Sequence, residues 1–264
     1  MRKTLSNLSA SPSQQRGSFL SFTALIALIF IGLSFLTRLL LLGLSLSSAE
    51  ASPQDWLVGF IMGFVSDIAT LSYALLPVAI FDLLLPNRFH KISTSLRLFS
   101  FFFITFTLIF LAASEFTFWE EFGSRFNFIA VDYLIYTQEV IDNIVQSYPV
   151  KSLLLLFSAI SFLITLAARK RISNTTHLSI RSRAITALII MASASLTWAY
   201  WSSEKAELTQ NHYSNQLAGN GLYDFFSAYR NNELDYPSYY PTISAFQSNS
   251  ILQNLKSTES NPQQ

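Results

Sequence analysis

Five long apolar stretches constrain the fold of this chain more than any other feature of its sequence. An α-helix needs about 20 mainly apolar residues to cross the hydrocarbon core of a bilayer, and each stretch approaches or exceeds that length. Because an unpaired backbone polar group is costly in lipid, only helices and closed barrels span membranes. The sequence therefore predicts an all-α membrane protein with five transmembrane helices, over about residues 19–46, 56–85, 98–114, 153–168 and 184–201.

Composition supports a membrane protein and excludes several other classes. Hydrophobic residues make up 51% of the 264 residues and charged residues only 12%, whereas a soluble domain usually carries about 25% charged residues. The chain has no cysteine, which excludes disulfides, a thiolate nucleophile and a cysteine-ligated metal. The basic residues form short clusters rather than a basic domain, so we expect no nucleic-acid partner.

The charges between the apolar stretches predict the orientation of the chain. Basic residues of membrane proteins collect on the cytoplasmic side, and here basic and acidic segments alternate. The segments expected in the cytoplasm carry Arg2, Lys3, Arg16, Arg88, Lys91, Arg97, Arg169, Lys170, Arg171, Arg181 and Arg183. The segments expected outside carry Glu50, Asp55, Glu115, Glu120, Glu121, Asp132, Glu139 and Asp142. We therefore expect a multi-pass protein of the bacterial cytoplasmic (inner) membrane, with a cytoplasmic N-terminus and an extracytoplasmic C-terminus.

The apolar stretches divide the chain into three parts. Residues 1–17 are rich in Ser and Gln and are expected to form a flexible cytoplasmic tail. Residues 18–202 form the transmembrane domain, with an outer interfacial loop over 115–150. Residues 203–264 form an extracytoplasmic connector that ends as a polar linker. Pro77 is expected to kink or break the second span.

The first apolar stretch has a second interpretation as a secretory signal peptide. Arg2 and Lys3 could form its basic region, and Ala49-Glu50-Ala51 resembles a cleavage site. The stretch is, however, about twice the usual apolar length of 7–15 residues, and it contains an arginine. We therefore expect an uncleaved helix.

Two ionisable side chains, Arg38 and Asp67, lie deep within the first and second spans. A charge near the centre of a span costs about 2.5–3.5 kcal/mol and usually has a partner or a hydrated cavity. With the helix ends at the outer surface, Arg38 lies about 12 Å and Asp67 about 17 Å below it. One interpretation is a structural ion pair, or an arginine extended to the outer headgroups; the other is that Arg38 binds a lipid phosphate. Asp82, near the cytoplasmic end, is expected to be hydrated.

The outer loop mixes aromatic rings with carboxylates, as is typical of a membrane–water interface. From Val131 to Val145 its apolar residues recur at helical spacing opposite an acidic face, which predicts an interfacial amphipathic helix. One interpretation is that this helix only braces the bundle. The functional interpretation is that four polar side chains form, with Arg38, one wall of a lipid-headgroup site: Arg125, Asn127, Asp132 and Tyr136.

The connector after the fifth span carries a second helical pattern. Leu222, Phe225 and Tyr229 follow helical spacing, and Gly219 and Gly221 precede them, which predicts a short helix. Its interpretation as a simple tether and its interpretation as part of a binding surface both remain open.

Three segments resemble one family of bacterial membrane enzymes. The run EFGSRFNFIAVDYLIYTQEVIDNIVQSYP is similar to the outer loop of lipoteichoic-acid-synthase-like proteins, which are membrane-anchored phosphoglycerol transferases of the sulfatase/alkaline-phosphatase superfamily. The run NGLYDFFSAYRNNELDYPSYY resembles their connector, and LTRLLL around Arg38 resembles their first span. The resemblance covers nearly the whole chain and agrees with five spans and an outward C-terminus.

The resemblance implies that this chain is the membrane domain of such a transferase without its extracytoplasmic catalytic domain. In the family that domain uses Mn or Zn to activate a Thr, which takes phosphoglycerol from phosphatidylglycerol. Here Thr258-Glu259-Ser260 follows no apolar strand, and His212 is the one histidine expected outside, which is too few for a hydrolytic metal site. No catalytic or metal-binding residue is therefore assigned, and no cofactor is expected in this chain.

The expected function is to anchor the enzyme and to position a phosphatidylglycerol-like phospholipid without turning it over, the catalytic part being separate or C-terminal. An alternative is a stand-alone small transporter or an envelope assembly factor. Transporters tend to have internal repeats and matching broken helices, whereas this sequence has one candidate break, Pro77, and no repeat. A third interpretation is an enzyme that uses Asp67, Glu121 or Asp132 as a base, which no residue spacing favours.

Overall fold

The computed structural model of the protein describes residues 22–46, 51–85, 90–134, 136–175 and 179–231. The chain divides into two compact units, Met1–Arg230 and Asn231–Gln264, and nearly all described residues belong to the first. The predicted cytoplasmic tail, residues 1–17, and the linker after Asn231 lie outside the described residues.

All regular structure in the described ranges is helical. Five helices are long and apolar enough to cross a membrane: α1 (Phe22–Ser45), α2 (Pro53–Leu84), α3 (His90–Phe122), α6 (Val150–Thr175) and α7 (Ile180–Tyr200). The shorter elements are α4 (Phe128–Asp132), α5 (Thr137–Ser147), a 3-10 helix (Ser203–Ala206), α8 (His212–Ala218) and α9 (Gly221–Arg230). The prediction of an all-α, multi-pass membrane protein is confirmed.

Helix α1 is central to the bundle because it packs against both α2 and α3. Helix α7 packs on α2, and α6 packs on α3. At one end of the bundle all five spans meet in an apolar core that includes Phe22, Leu75, Phe101, Ile172 and Ile190.

The opposite end of the bundle is occupied by the α8–α9 segment, His212–Arg230, and we call it the α8 end. Helix α8 packs on α2 and on α1. A second apolar cluster there joins Leu41 of α1, Trp119 of α3 and Leu217 of α8, and the Leu217 side chain is completely buried. The first part of the predicted connector is therefore built into the folded bundle.

Helix α2 has a well-defined start and no interruption. Ser52 and Asp55 form a capping box, with Pro53 in the first turn, where a missing N–H is tolerated. The helix then continues past Pro77 to Leu84, so α2 is not broken there, and the alternative, a kink at Pro77, stays a prediction. Transmembrane helices tolerate an internal proline because neighbouring groups compensate for the lost backbone hydrogen bond.

Two other boundaries differ from the prediction. Helix α3 continues to Phe122, beyond the predicted end of its span at about residue 114, and the first carboxylate after that predicted end, Glu115, is buried and paired with Arg125. The single amphipathic helix predicted over 131–145 is two helices. Helix α4 ends at Asp132. Just after it, the N–H of Leu134 bonds the carbonyl of Val131, an i→i−3 bond of the kind that is frequent at the ends of α-helices.

Helix α5 has the expected amphipathic character. None of its described side chains is buried within the protein, and Ile141, Ile144 and Val145 are about half exposed. An apolar stripe left uncovered on a short helix is the pattern of an element that lies in a membrane interface.

Candidate functional site

Arg38 of α1 and Asp67 of α2 form a buried ion pair. Nη1 of Arg38 lies 2.7 Å from Oδ2 of Asp67, and Nη2 lies 3.0 Å from Oδ1. Both side chains are 1% exposed. The two parallel hydrogen bonds are the bidentate geometry in which guanidinium and carboxylate interact most strongly.

The remaining donors of Arg38 bind backbone carbonyl groups. Nε donates to the carbonyl of Leu217 at 2.8 Å, and Nη2 donates to those of Gly63 at 2.9 Å and Gly219 at 3.2 Å. All three guanidinium nitrogens are therefore engaged within the protein. This geometry favours the ion-pair interpretation of Arg38 over the lipid-phosphate interpretation.

The C-terminal end of α8 is held by side chains from three other elements. Consecutive carbonyl groups of residues 216, 217, 218 and 219 accept hydrogen bonds from Arg125 Nε, Arg38 Nε, Ser66 Oγ and Arg38 Nη2. The last carbonyls of a helix have no partner within it and carry partial negative charge. Two arginines and a serine therefore satisfy them where water is excluded.

Asn220 connects the ion pair to the start of α9. Its Nδ2 donates to Oδ1 of Asp67 at 2.8 Å, while its Oδ1 accepts from the backbone N–H groups of Leu222 and Tyr223. An asparagine oxygen that accepts these bonds is an ordinary helix N-cap. Asn220 is 5% exposed, so the N-cap of α9 lies inside the bundle.

Two glycines of α2 allow these close approaches. A Cβ atom at Gly63 would lie 2.3 Å from Nε of Arg38, and one at Gly59 would lie 2.8 Å from the carbonyl oxygen of Ser214. Any side chain at either position would overlap a neighbouring group. Because these two positions have no side chain, Arg38 and α8 can pack directly against the backbone of α2.

Arg125, in the turn between α3 and α4, forms the second buried ion pair of this end. Its Nη1 lies 2.5 Å from Oε1 of Glu115, and its Nε donates to the carbonyl of Gln216. Its backbone N–H donates to Oε1 of the Gln216 side chain. Arg125 is 2% exposed, but among the described residues its Nη2 has no hydrogen-bond partner.

A narrow crevice between α1 and α3 is lined in part by this arginine. Its cavity measures about 40 Å³, room for one or two water-sized groups. Polar groups from Glu115, Arg125 and Asn220 lie on its lining. The remaining lining is mostly apolar and consists of Phe30, Leu33, Ser34, Thr37, Leu108, Leu111, Ala112, Phe126 and Leu222.

A third buried ion pair marks the other end of the bundle. Arg97 lies 2.7 Å from Oδ1 of Asp82, and Arg183 donates to the backbone carbonyls of Asp82 and Leu85. Asp82 is only 5% exposed, so the expectation that it is hydrated is wrong. Arg97 and Arg183 were counted as loop residues, but they lie within α3 and α7 and are buried.

The spacing of these ion pairs along the helices is somewhat less than the thickness of a hydrocarbon core. At about 1.5 Å per residue, Asp67 and Asp82 are about 22 Å apart along α2, and Arg97 and Glu115 about 27 Å apart along α3. The hydrocarbon core is about 30 Å thick. The depths of about 12 and 17 Å expected for Arg38 and Asp67 stay predictions.

The other predicted headgroup ligands do not join the crevice. Asn127 caps α4, because its Oδ1 accepts from the N–H of Ile129 and its Nδ2 donates to Ser124. Tyr136 is 61% exposed. Asp132 ends α4 and is absent from the crevice lining. Of the four loop residues proposed, only Arg125 lines the crevice.

Sequence reasoning missed Glu115 and Asn220 as parts of this site. Glu115 is the first acidic residue after the third apolar stretch. The sequence pattern predicts only that it is one of several carboxylates at the membrane–water interface. Asn220 directly precedes the helical pattern that begins at Gly221, and asparagine is one of the residues preferred at a helix N-cap. That capping signal was the one available indication of its position.

Asp224 of α9 adds a further carboxyl group near the crevice. Burial raises the pKa of Asp224 to about 6, although the hydrogen bond from Ser203 Oγ, at 2.7 Å, lowers it. Arg125 also lowers this pKa and Glu115 raises it. The three charges therefore lie close enough to influence one another.

The fold and the crevice define the chain as a multi-pass α-helical membrane protein with buried ion pairs at both ends. No family model, no curated protein and no solved structure matches it. Within the described residues no group of three or more His, Cys, Asp or Glu side chains is placed to hold a metal ion.

Proposed function

We propose that this chain is the membrane domain of a phosphoglycerol-transferase-like protein and that it positions a phospholipid headgroup at Arg125. The observation that carries the proposal is the Nη2 atom of Arg125, which is buried, unpartnered and attached to a residue that lines the crevice. An unpaired buried donor costs about 1–3 kcal/mol, more for a charged group. A phosphate oxygen is the acceptor that a guanidinium binds best.

The lining and position of the crevice suit one or two polar groups of a lipid headgroup, with the rest of the lipid outside the cavity. Its apolar lining from α1 and α3, including Leu33, Leu108 and Leu111, offers a surface to an acyl chain or glycerol backbone. Its polar end lies about 27 Å along α3 from Arg97, which is the level of headgroups for a core of about 30 Å. A phospholipid therefore meets an apolar surface first and Arg125 last.

The proposed orientation places the α8 end outside a bacterial cytoplasmic membrane. At the opposite end Arg169, Lys170, Arg171 and Arg181 are exposed, and exposed basic residues favour the cytoplasmic side. At the α8 end Glu120 is exposed. The crevice then opens toward the outer leaflet, where a phosphoglycerol transferase meets phosphatidylglycerol.

In this proposal catalysis belongs to a separate or C-terminal part of the protein. Purified protein incubated with labelled phosphatidylglycerol and Mn²⁺ should retain the lipid intact. Release of diacylglycerol would contradict this part of the proposal.

Binding is tested with the full chain in detergent micelles, titrated with short-chain phosphatidylglycerol and followed by native mass spectrometry. Arg125→Gln removes the free donor and should weaken binding about tenfold or more. Arg169→Gln removes an exposed cation at the opposite end and should leave affinity unchanged. Arg125→Lys keeps the positive charge but lacks the planar guanidinium group, so its affinity for the lipid should be intermediate. Equal affinities for all four proteins would overturn the proposed site.

A further inference from the structure

Each of the two buried guanidinium groups near the crevice already has a carboxylate partner. Arg38 is neutralised by Asp67, and Arg125 is neutralised by Glu115. Asp224 adds a carboxyl group that interacts with both Arg125 and Glu115. Three carboxyl groups therefore face two guanidinium groups, and an added phosphate would bring another negative charge into a poorly hydrated site.

The Glu115–Arg125 pair nevertheless leaves one donor and one acceptor unused. Nη2 of Arg125 has no partner among the described residues. Glu115 receives its hydrogen bond on Oε1, and no described residue donates to Oε2. Both residues line the same cavity. Within the described residues the pair therefore has one cationic N–H and one carboxylate oxygen that no hydrogen bond uses.

We propose that this crevice selects phospholipids whose headgroup carries a primary ammonium group as well as a phosphate. The phosphate accepts from Nη2 of Arg125, and the ammonium donates to Oε2 of Glu115. The inference rests on the proposed function, because it names the lipid class held at the same site. It departs from phosphatidylglycerol, the lipid that the family resemblance suggests.

Charge compensation is the reason for the preference. A buried charge without a partner is strongly unfavourable. A glycerol headgroup adds a phosphate charge and offers only neutral hydroxyl donors to Glu115. A quaternary ammonium headgroup is neutral overall but has no N–H donor. An ammonium with its N–H bonds intact neutralises the phosphate and forms a charge-assisted hydrogen bond, the stronger kind.

The first experiment needs no variant. The purified full chain is titrated with phosphatidylethanolamine, its N-methyl and N,N-dimethyl derivatives, phosphatidylcholine and phosphatidylglycerol, all with the same acyl chains. Affinity should fall with each N–H removed, and the primary amine should bind about tenfold more tightly than either phosphatidylcholine or phosphatidylglycerol. A flat methylation series, or tighter binding of phosphatidylglycerol, overturns the inference.

The second experiment assigns the preference to Glu115. Glu115→Gln should weaken phosphatidylethanolamine binding about tenfold and reduce its preference over phosphatidylglycerol to about one. Glu120→Gln, an exposed change on the same helix, should alter neither affinity. If Glu115→Gln does not fold, as judged by its melting temperature in detergent, the methylation series decides alone. Failure of every lipid to bind, or binding unaffected by Arg125→Gln, refutes the proposed function; intact binding without amine preference refutes only this inference.

Discussion

Arg38 on α1 holds Asp67 on α2 through two hydrogen bonds of 2.7 and 3.0 Å, and the same guanidinium holds the end of α8 through the carbonyls of Leu217 and Gly219. One side chain thus fixes two transmembrane helices and a segment near the other end of the chain. Irregular backbone is tolerated at membrane depth only where protein groups satisfy it. Here Arg38 supplies the hydrogen-bond donors for the carbonyl groups at the end of α8.

Removal of the Arg38 side chain should therefore strongly lower the stability of the protein. Arg38→Ala leaves Asp67 buried without its cation and removes a donor from three carbonyl groups, so we expect a loss of about 3–5 kcal/mol in the free energy of unfolding. The measurement is unfolding of the purified protein in mixed micelles with increasing SDS. A loss below about 1 kcal/mol would mean that the pair contributes little to the fold.

The double variant Arg38→Met with Asp67→Leu separates the ion pair from the carbonyl contacts. Replacement of a buried ion pair by apolar residues is often neutral by itself. Here the carbonyl groups of Leu217 and Gly219 still lose their donor, so we expect only partial recovery relative to Arg38→Ala. Complete recovery would show that Arg38 acts on Asp67 alone.

Gly63 tests the close approach between α2 and Arg38. A Cβ atom there would lie 2.3 Å from Arg38 Nε, so Gly63→Ala should displace the guanidinium and lower stability by about 1–3 kcal/mol. Gly43→Ala is the matched control, because no atom lies within 4 Å of its Cβ position and alanine favours the helix by about 1 kcal/mol. In SDS unfolding we expect Gly63→Ala to lower the free energy of unfolding and Gly43→Ala to raise it. Equal effects of the two substitutions would contradict the close contact between Gly63 and Arg38.

The five spans were predictable because hydropathy is a local property of the sequence. The amphipathic face of α5 was predictable for the same reason, whereas the break between α4 and α5, where the N–H of Leu134 bonds the carbonyl of Val131, has no such signal in the hydropathy pattern. The pairing of Arg38 with Asp67 was one of two interpretations. It followed from the adjacency of two antiparallel helices and from the cost of an isolated charge in a span.

The insertion of the α8–α9 segment could not be predicted in this way. Residues 212–218 have no strong pattern of their own, and their position depends on Arg38, Ser66 and Arg125, which lie far away in the sequence. The positions of Arg97 and Arg183 were also misjudged. A count of basic residues between apolar stretches cannot distinguish a loop arginine from one that turns inward to meet a buried carboxylate.

Asp224 predicts a pH dependence of stability. Its pKa of about 6 in the folded protein lies above the ordinary value of 3.8, so the folded state binds a proton more tightly than the unfolded state. This group therefore favours folding below about pH 4, and its contribution is lost progressively as the pH rises through 6. Melting temperatures across that range should fall more steeply for the wild type than for Asp224→Asn, which does not titrate. Identical slopes would contradict the raised pKa.

The ion pair at the other end of the bundle gives a prediction independent of the lipid site. Arg97→Ala leaves Asp82, which is 5% exposed, without its nearest cation, although Arg183 remains close by. We expect a loss of about 3 kcal/mol in the free energy of unfolding. Lys91→Ala removes an exposed cation from the same helix and should change stability by less than about 0.5 kcal/mol. Lipid affinity at the α8 end should be the same in both variants once they are folded, since the two ion pairs are separated by about 27 Å along α3. A change in lipid affinity with Arg97→Ala alone would show that the two ends of the bundle are energetically coupled.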